Sequence, residues 1–432
     1  TATIVALVLE PLPTGAVAMI SATAAVLSGT LAVEQAFSAF ASSTIWMIGA
    51  SFFFARGFQQ TGLGDRVANL FVRFIGQSTL GLSYGLTVAH FLLCPTMPST
   101  SARSTGIFMP IVVSLSKAAG SFPGVTADRM GRFLALSQVQ AGPGLTSLFL
   151  TGAAPNALCM SMAVSLGVDV GNVWVTWFVA ASVPGLICAA LAPYLVYRMV
   201  PPELKNSPEA PALAATRLRE MGPLTWDEII LISVMSIAVA LWIVGAYIGV
   251  SPAAAALLGL SLLLLTGVLQ WKDCLGYTPA WDTLTWFSIL VGMSEQLKQL
   301  GVIDFFAQAV TALLEAHNIG TWGAFALLHA VYFLMHYMIA SQTAHVGALY
   351  SAFLSLMLKT GVPGKLAAFT LAFSTNLFGG ISTYSSAQSA GYYGTGYIPM
   401  KDMFVVGGLL ALMWYAIFAV VGGLWWKALG WF

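Results

Sequence analysis

Two short polar clusters interrupt an otherwise apolar chain of 432 residues. The first is Pro98-Ser99-Thr100-Ser101-Ala102-Arg103, and the second is Ala340-Ser341-Gln342-Thr343-Ala344-His345, 242 residues later. Both run in the order small hydroxyl, polar residue, hydroxyl, alanine and cation. Hydroxyls, amides and cations donate hydrogen bonds, so the chemistry that suits these clusters is the binding of an anion.

The surroundings of the two clusters repeat as well. Gly62-Leu63-Gly64-Asp65 precedes the first cluster and Gly301-Val302-Ile303-Asp304 precedes the second, at an offset of 239 residues. A histidine follows each first glycine after 28 residues, His90 in one half and His329 in the other. Self-similarity of this length indicates an internal repeat.

The composition places this repeat in a lipid bilayer. The chain is 58% hydrophobic and only 8% charged, whereas soluble domains carry about 25% charged residues. The formal net charge of +1 gives no sign of a nucleic-acid partner. Because the sequence opens without Met inside an apolar run, we expect a further N-terminal piece with another spanning helix. The four cysteines lack metal-ligand spacing and are predicted to be packing residues: Cys94, Cys159, Cys188 and Cys274.

Apolar runs of about 20 residues predict helices that cross a bilayer. The fold class that follows is an all-α polytopic membrane protein. The predicted spans lie near 1–9, 13–30, 43–59, 133–167, 171–199, 227–249, 252–269, 282–299, 363–395 and 402–430.

Regions 78–118 and 320–360 do not fit simple spans, because two apolar arms flank a polar tip in each. This pattern is typical of re-entrant helical hairpins, whose irregular backbone is tolerated at membrane depth only inside protein or beside a water-filled cavity. Shorter amphipathic helices near the membrane interface are expected at 64–76 and 303–317.

A break interrupts the span that follows each hairpin. Gly152-Ala153-Ala154-Pro155-Asn156 breaks the first span, and the serine-rich stretch 382–389 breaks the second. Gly and Pro end the helical hydrogen-bond ladder, and hydroxyl or amide side chains can satisfy the freed backbone groups. Each half is therefore predicted to contain a hairpin and a discontinuous helix.

The distribution of Lys and Arg predicts how the halves are oriented. With the hairpins entering from opposite sides, 12 of the 17 Lys and Arg fall on one face, which we assign to the cytoplasm, and four on the other. The remaining one, Arg103, lies within the membrane. The halves 1–200 and 227–432 are then inverted repeats joined by a cytoplasmic linker at 201–226. Inverted repeats with broken helices are a transporter architecture, and we expect the bacterial inner membrane as its location.

The tips and the breaks are predicted to meet near the bilayer midplane. Helix N-termini at the tips add partial positive charge, and no Asp or Glu is expected near either tip to balance Arg103. A small molecule with a carboxylate at each end would fit two donor clusters. The predicted substrate-binding residues are Ser99, Thr100, Ser101, Arg103, Asn156, Ser341, Gln342, Thr343, His345, Ser385 and Ser386.

Alternatives stay open for three polar residues. Arg103 could satisfy backbone carbonyls one turn past the tip, and His345 could be a packed, neutral histidine. Asn376, ahead of the second break, could line the site or lie outside it.

The chain resembles the divalent anion/sodium symporter family, and within it the dicarboxylate and citrate exchanger branch. The resemblance implies tip triplets that hold substrate carboxylates, a homodimer, and elevator movement of a transport domain against a scaffold domain. The segments that carry it are Pro98-Ser99-Thr100-Ser101-Ala102-Arg103, Ala154-Pro155-Asn156-Ala157-Leu158, Ser341-Gln342-Thr343-Ala344-His345 and Tyr393-Gly394-Thr395-Gly396-Tyr397-Ile398-Pro399.

The chain departs from the family pattern where sodium would bind. Thr100 and Gln342 replace the Asn of the two Ser-Asn-Thr triplets, and the second break lacks the Thr-Pro-Pro-Asn turn that the symporters have. We therefore expect no cofactor, and a sodium-independent exchange of di- or tricarboxylates in which Arg103 and His345 replace sodium. A bound sodium, if there were one, is expected near Ser99, Gly152, Thr343 and Ser385.

Four other functions compete with this interpretation. They are a sodium-coupled dicarboxylate symporter, a transporter of arsenite or another oxyanion, an intramembrane hydrolase built on Ser341 and His345, and a channel. Two matched clusters argue against the hydrolase, because covalent catalysis needs one nucleophile with a base and an oriented third group.

Overall fold

Every apolar run predicted to span a bilayer contains a helix in the computed structural model. The structure describes residues 2–9, 11–302, 305, 308, 310, 312, 314 and 316–432. Within these ranges the only strand-like pairing is an isolated bridge between Ser78 and Asn206. The helix predicted at 64–76 is found at Leu63–Ile75, whereas much of its predicted counterpart at 303–317 lies outside the described residues.

The helices of the first half have the bounds Ala2–Leu9, Thr14–Leu27, Val33–Ala36, Ser43–Thr61, Leu63–Ile75, Thr79–Leu93, Ser101–Phe108, Met109–Ala118, Gly131–Leu148, Ala154–Ser165 and Val173–Met199. Those that follow are Glu209–Glu220, Trp226–Val244, Pro252–Leu265, Trp271–Gly276, Thr278–Gln299, Thr321–Leu334, Gln342–His345, Val346–Tyr350, Ser351–Lys359, Gly364–Leu377, Ala387–Gly394, Met400–Ile417, Phe418–Gly422 and Gly423–Ala428. Short 3-10 turns lie at Ser38–Ala41, Cys94–Thr96, Ala127–Arg129, Leu150–Gly152, Gly245–Tyr247, Met335–Met338 and Phe378–Gly380.

Both predicted hairpins have two helical arms and an irregular tip. In the first hairpin Thr79–Leu93 leads to the tip, and the outgoing arm begins with the π-helical segment Ser101–Phe108. In the second hairpin Thr321–Leu334 leads to the tip, and the outgoing arm contains a π-helical segment at Val346–Tyr350. The two hairpins therefore share their local architecture, while the inversion of one half relative to the other stays a prediction.

The helices pack as two groups. The central group contains both hairpins, both broken helices, Val173–Met199 and the helix that begins at Met400. The outer group flanks it and contains Thr14–Leu27, Ser43–Thr61, Trp226–Val244, Pro252–Leu265 and Thr278–Gln299.

Burial explains this arrangement. The broken helices are buried almost all round, as expected for helices without a polar face. The outer group instead exposes large apolar side chains such as Ile232 and Leu258, a surface that lipid can cover. Among the described residues three helices are long and apolar enough to cross a membrane, namely Val173–Met199, Trp226–Val244 and Met400–Ala428.

The repeated glycines adopt the same backbone conformation. Gly62 and Gly301 have φ angles of 73° and 72°, which side chains other than Gly rarely adopt. Gly62 ends the helix Ser43–Thr61, and Gly301 follows Thr278–Gln299. The repeat in the sequence thus marks two matching helix ends.

The segment between the halves is bonded to the base of the first hairpin. We call residues 203–207 the strap. Thr79 N–H donates to the carbonyl oxygen of Lys205 at 2.9 Å, and Ser207 N–H donates to that of Gln77 at 2.9 Å. The helix Glu209–Glu220 then packs on Leu63–Ile75. The connection is thus ordered on the first half, and the domain limits at 200 and 226 stay a prediction.

A buried ion pair joins this region to the outer group. Arg66 Nε donates to Glu228 Oε1 at 2.6 Å, and Arg66 Nη1 donates to the carbonyl oxygen of Gly222 at 2.9 Å. The exposed fractions of the Arg66 and Glu228 side chains are 9% and 1%. Removing one partner from such a pair leaves the other charged and buried.

We expect Glu228→Gln to lower the melting temperature in detergent clearly, because an unpaired buried charge costs about 3–5 kcal/mol. Asp128→Asn is the matched control. Asp128 pairs with Arg132 but its side chain is 57% exposed, so its loss should cost less than about 1 kcal/mol. Equal melting temperatures for the two variants would contradict the role given to the Arg66–Glu228 pair.

Candidate functional site

A serine caps the outgoing arm at each tip. Ser99 Oγ accepts a hydrogen bond from the backbone N–H of Ala102 at 3.2 Å. Ser341 Oγ accepts the equivalent bond from Ala344 at 3.3 Å. Side-chain caps of this kind satisfy one of the free N–H groups at a helix start, and the start keeps a partial positive charge that favours anions.

Both tips line one cavity of about 510 Å³. The central group contributes hydroxyl and amide groups from both halves of the chain to its wall, together with apolar residues such as Pro98, Ala102 and Pro155. The structure brings together seven of the eleven predicted site residues here, namely Ser99, Thr100, Ser101, Ser341, Gln342, Thr343 and Ser386.

The hydroxyls of Thr100, Ser101 and Thr343 have no hydrogen bond within the part of the chain that the structure describes, which leaves them free for a ligand. Gln342 differs, because its Nε2 donates to the carbonyl oxygen of Thr375 at 2.6 Å. The amide of Gln342 is therefore fixed by the second broken helix.

The opposite wall of the cavity comes from the outer group, none of whose residues was among the predicted site residues. Phe52 and Gln59 contribute from Ser43–Thr61, and Asp282, Thr283 and Trp286 contribute from Thr278–Gln299. No pattern in the sequence singled out Phe52 or Trp286, since both belong to ordinary apolar runs.

The prediction that no acidic residue lies near the tips is wrong, because Asp282 lies there. It lines the same cavity as Ser341 and Thr343. A signal for it was present, because Asp282 opens the predicted span 282–299 and an ionisable residue in a span is a functional candidate by default.

Arg103 is fully buried and does not line the cavity. Its Nη1 donates to the carbonyl oxygen of Met97, and its Nη2 donates to that of Gly152 at 2.8 Å. Arg103 thus joins the first tip to the first break, as the alternative interpretation expected. Direct contact with a ligand stays a prediction.

His345 is also buried behind its tip. Its Nδ1 lies 3.3 Å from Nδ1 of His336, and Nε2 of His336 lies 2.8 Å from the carbonyl oxygen of Ser385. A carbonyl only accepts, so Nε2 of His336 donates this bond. His345 is therefore connected to the second break through His336, a residue outside the predicted site.

Asn156 joins the two broken helices instead of lining the cavity. Its Nδ2 donates to the carbonyl oxygens of Thr146 and Phe149, both at 3.0 Å. Its Oδ1 accepts a hydrogen bond from Nδ2 of Asn376 at 2.8 Å. Both Asn side chains are buried, so the backbone carbonyls at the first break are hydrogen-bonded by a side chain inside the protein.

Serine hydroxyls hold the second break. Ser385, Ser386 and Ser389 each donate to the carbonyl oxygen of Gly379, at 2.9, 2.7 and 2.8 Å. Ser386 also reaches the cavity, whereas Ser385 lies behind it. The serine hydroxyls at the second break thus donate hydrogen bonds to a backbone carbonyl, as predicted, and one of these serines also lines the cavity.

The described residues contain no cluster of three or more His, Cys, Asp or Glu that could hold a metal ion. The four cysteines are buried free thiols, consistent with packing: Cys94, Cys159, Cys188 and Cys274.

An apolar helical bundle around a polar cavity defines an integral membrane protein with the architecture of a transporter. Residues 1–432 match the family described as the sodium:sulfate symporter transmembrane region, and the chain belongs to this family. This is the divalent anion/sodium symporter family, so the resemblance drawn from the motifs is confirmed. The family consists of transporters and not of enzymes.

Relatives and solved structures match nearly the whole chain, among them two transporters and one crystal structure. Dicarboxylate transporter 2, chloroplastic, of Spinacia oleracea is 51% identical, over 99% of this chain and 76% of the relative. The citrate/succinate antiporter of Escherichia coli is 31% identical, over 98% of this chain and 90% of the relative. The crystal structure of the YdaH transporter of Alcanivorax borkumensis has a TM-score of 0.59 at 16% identity, over 91% of this chain and 86% of that chain, and supports the fold alone.

We expect Asn156→Leu and Asn376→Leu each to lower the stability in detergent, by about 1–3 kcal/mol, because each leaves buried polar groups without partners. The double variant should cost less than the sum of the two, since the residues share one hydrogen bond. Melting temperatures of the four proteins test this. Strict additivity would contradict the contact between the two breaks.

Proposed function

We propose that this protein exchanges di- or tricarboxylates across a membrane without sodium. The observation that carries the proposal is the pair of serine-capped tips, Ser99 and Ser341, that line one cavity. Two helix N-termini favour two anionic groups, so a molecule with a carboxylate at each end fits the site. The names of the spinach dicarboxylate transporter and the E. coli citrate/succinate antiporter support the same substrate class.

Fixed cations take the place of sodium in this proposal. The guanidinium of Arg103 binds the carbonyl oxygen of Gly152, next to one of the expected sodium positions. On the other side His345 stands behind the second tip, and its Nε2 has no hydrogen-bond partner among the described residues. His345 would supply the second cation only when Nε2 binds a proton, and burial without an acceptor for that proton disfavours this charged form. Both cations would offset substrate charge and repel sodium.

This arrangement favours exchange over net uptake. A site with buried positive charge and no anion is costly to carry through the bilayer. A bound dicarboxylate offsets that charge, so the loaded form would cross more easily than the empty form. The competing proposal is a sodium-coupled dicarboxylate symporter of the same family.

Movement of the central group against the outer group would expose the cavity to each side in turn. The cavity reaches Gln59, near the C-terminal end of Ser43–Thr61. A crevice of about 550 Å³ between the same two groups reaches Ser43, at the opposite end of that helix. This geometry supports an elevator in which the central group is the transport domain, and by family resemblance we propose a homodimer.

The location we propose is the bacterial inner membrane, and the charge bias favours the cytoplasmic side for 201–226. The chloroplastic spinach relative makes a plastid membrane the competing location.

In proteoliposomes loaded with unlabelled dicarboxylate we expect uptake of labelled succinate or malate in the complete absence of sodium. Liposomes without internal dicarboxylate should take up little label, because the empty site does not return. Uptake that requires a sodium gradient and ignores the internal anion would instead support the symporter. Absence of counterflow with succinate, malate, oxoglutarate, citrate and tartrate alike would reject the substrate class.

We expect Arg103→Ala to abolish exchange or to convert it into net uptake without internal substrate, because the charge that forbids empty return is gone. Arg103→Lys tests whether charge alone suffices. Arg198→Ala is the control, because Arg198 is exposed and does not line the cavity. Gel filtration and melting temperature establish folding, and wild-type counterflow in a folded Arg103→Ala protein would assign Arg103 a structural role only.

A further inference from the structure

Asp282 places an uncompensated negative charge in a cavity otherwise suited to anions. Its side chain is exposed to the cavity, and it is the one charged side chain among the described residues that line it. No ion pair or hydrogen bond to the Asp282 carboxylate is found within the described ranges.

Asp282 also lines a second chamber beside the cavity. This chamber of about 470 Å³ is bounded on one side by residues 11–14. It shares Asp282, Trp286, Ser341 and Thr343 with the cavity between the tips. The Asp282 carboxylate therefore lies at the boundary between two adjoining chambers.

The surroundings of Asp282 give the carboxylate no basic partner. The helix Thr14–Leu27 packs closely against it, since a Cβ on Gly15 would lie 2.5 Å from Asp282 Oδ1, and this helix contains no charged residue. Arg56, on the adjacent helix Ser43–Thr61, lies 4.0 Å from Asp273 instead. The other titratable residue that lines the cavity is Tyr277.

We propose that Asp282 limits the net charge of the substrate, so that the site takes dianions and discriminates against trianions. The two tips can each hold one carboxylate, and a third carboxylate would meet the Asp282 charge in a partly desolvated space, where like charges repel strongly. Discrimination of this kind uses repulsion of the wrong ligand more than attraction of the right one. The inference rests on the proposed carboxylate exchange and narrows its substrate class.

The test compares counterflow of succinate, malate and citrate at a slightly alkaline pH, where citrate is a trianion. Asp282→Asn keeps the shape of the side chain and removes the charge. We expect it to raise the ratio of citrate to succinate transport by about tenfold, as the loss of one close like-charge contact implies. Asp282→Leu should raise the ratio as well and serves as a second variant if Asp282→Asn does not fold.

Two control variants distinguish the effect of the Asp282 charge from the effect of side-chain size and from unspecific effects of removing a carboxylate. Asp282→Glu keeps the charge, so its ratio should stay as low as that of the wild type. Asp169→Asn changes an exposed loop residue and should change nothing.

Three results would overturn the inference. The first is an unchanged ratio of citrate to succinate transport in Asp282→Asn, and the second is an equal rise of that ratio in Asp282→Glu. The third is a selective loss of malate transport relative to succinate transport in Asp282→Asn, which would indicate that Asp282 binds the hydroxyl group of the substrate. If the wild-type protein exchanges succinate but Asp282→Asn leaves the ratio of citrate to succinate transport unchanged, only this inference is wrong. Wild-type protein that exchanges none of the three acids rejects the proposed function itself.

Discussion

The need to satisfy backbone hydrogen bonds at membrane depth shapes this protein. Two hairpin tips and two helix breaks free N–H and C=O groups where neither lipid nor a regular helix can pair them. Ser99 and Ser341 pair N–H groups at the tips, and Arg103 and Asn156 pair carbonyls at the first break. A polar site inside an apolar bundle is the product of this requirement, since helix starts left facing a cavity attract anions.

The polar residues divide into two layers around that cavity. Hydroxyls such as those of Thr100 and Thr343 face the cavity without internal partners, while Asn156, Arg103 and His345 lie buried behind the tips and join them to the breaks. The buried layer fixes the positions of the tips, and preorganised donors bind an anion without first having to be ordered. The proposed charge balance depends on the same buried layer.

The sequence alone predicted the helices, both hairpins, both breaks and the meeting of the tips, because hydropathy and an internal repeat depend on local composition and spacing. The direction of the Arg103 side chain could not be predicted, since it depends on which freed carbonyl lies within reach after folding. Asp282 and Trp286 come from the outer group, and the partnership of His336 with His345 depends on tertiary packing. Contacts between distant segments leave no periodic trace in a single sequence.

The two hairpins are not held alike, although their arms and tips correspond. Main-chain hydrogen bonds join the base of the first hairpin to the strap at 203–207. At the base of the second hairpin, Thr321 Oγ1 donates a hydrogen bond to the carbonyl oxygen of Thr360 at 2.8 Å. The bases of the two hairpins are therefore restrained by different contacts, main-chain bonds in one and a side-chain bond in the other. If the two end states of the proposed elevator movement then differ in free energy, its two directions differ in rate even between identical solutions, while the equilibrium distribution of substrate across the membrane stays the same.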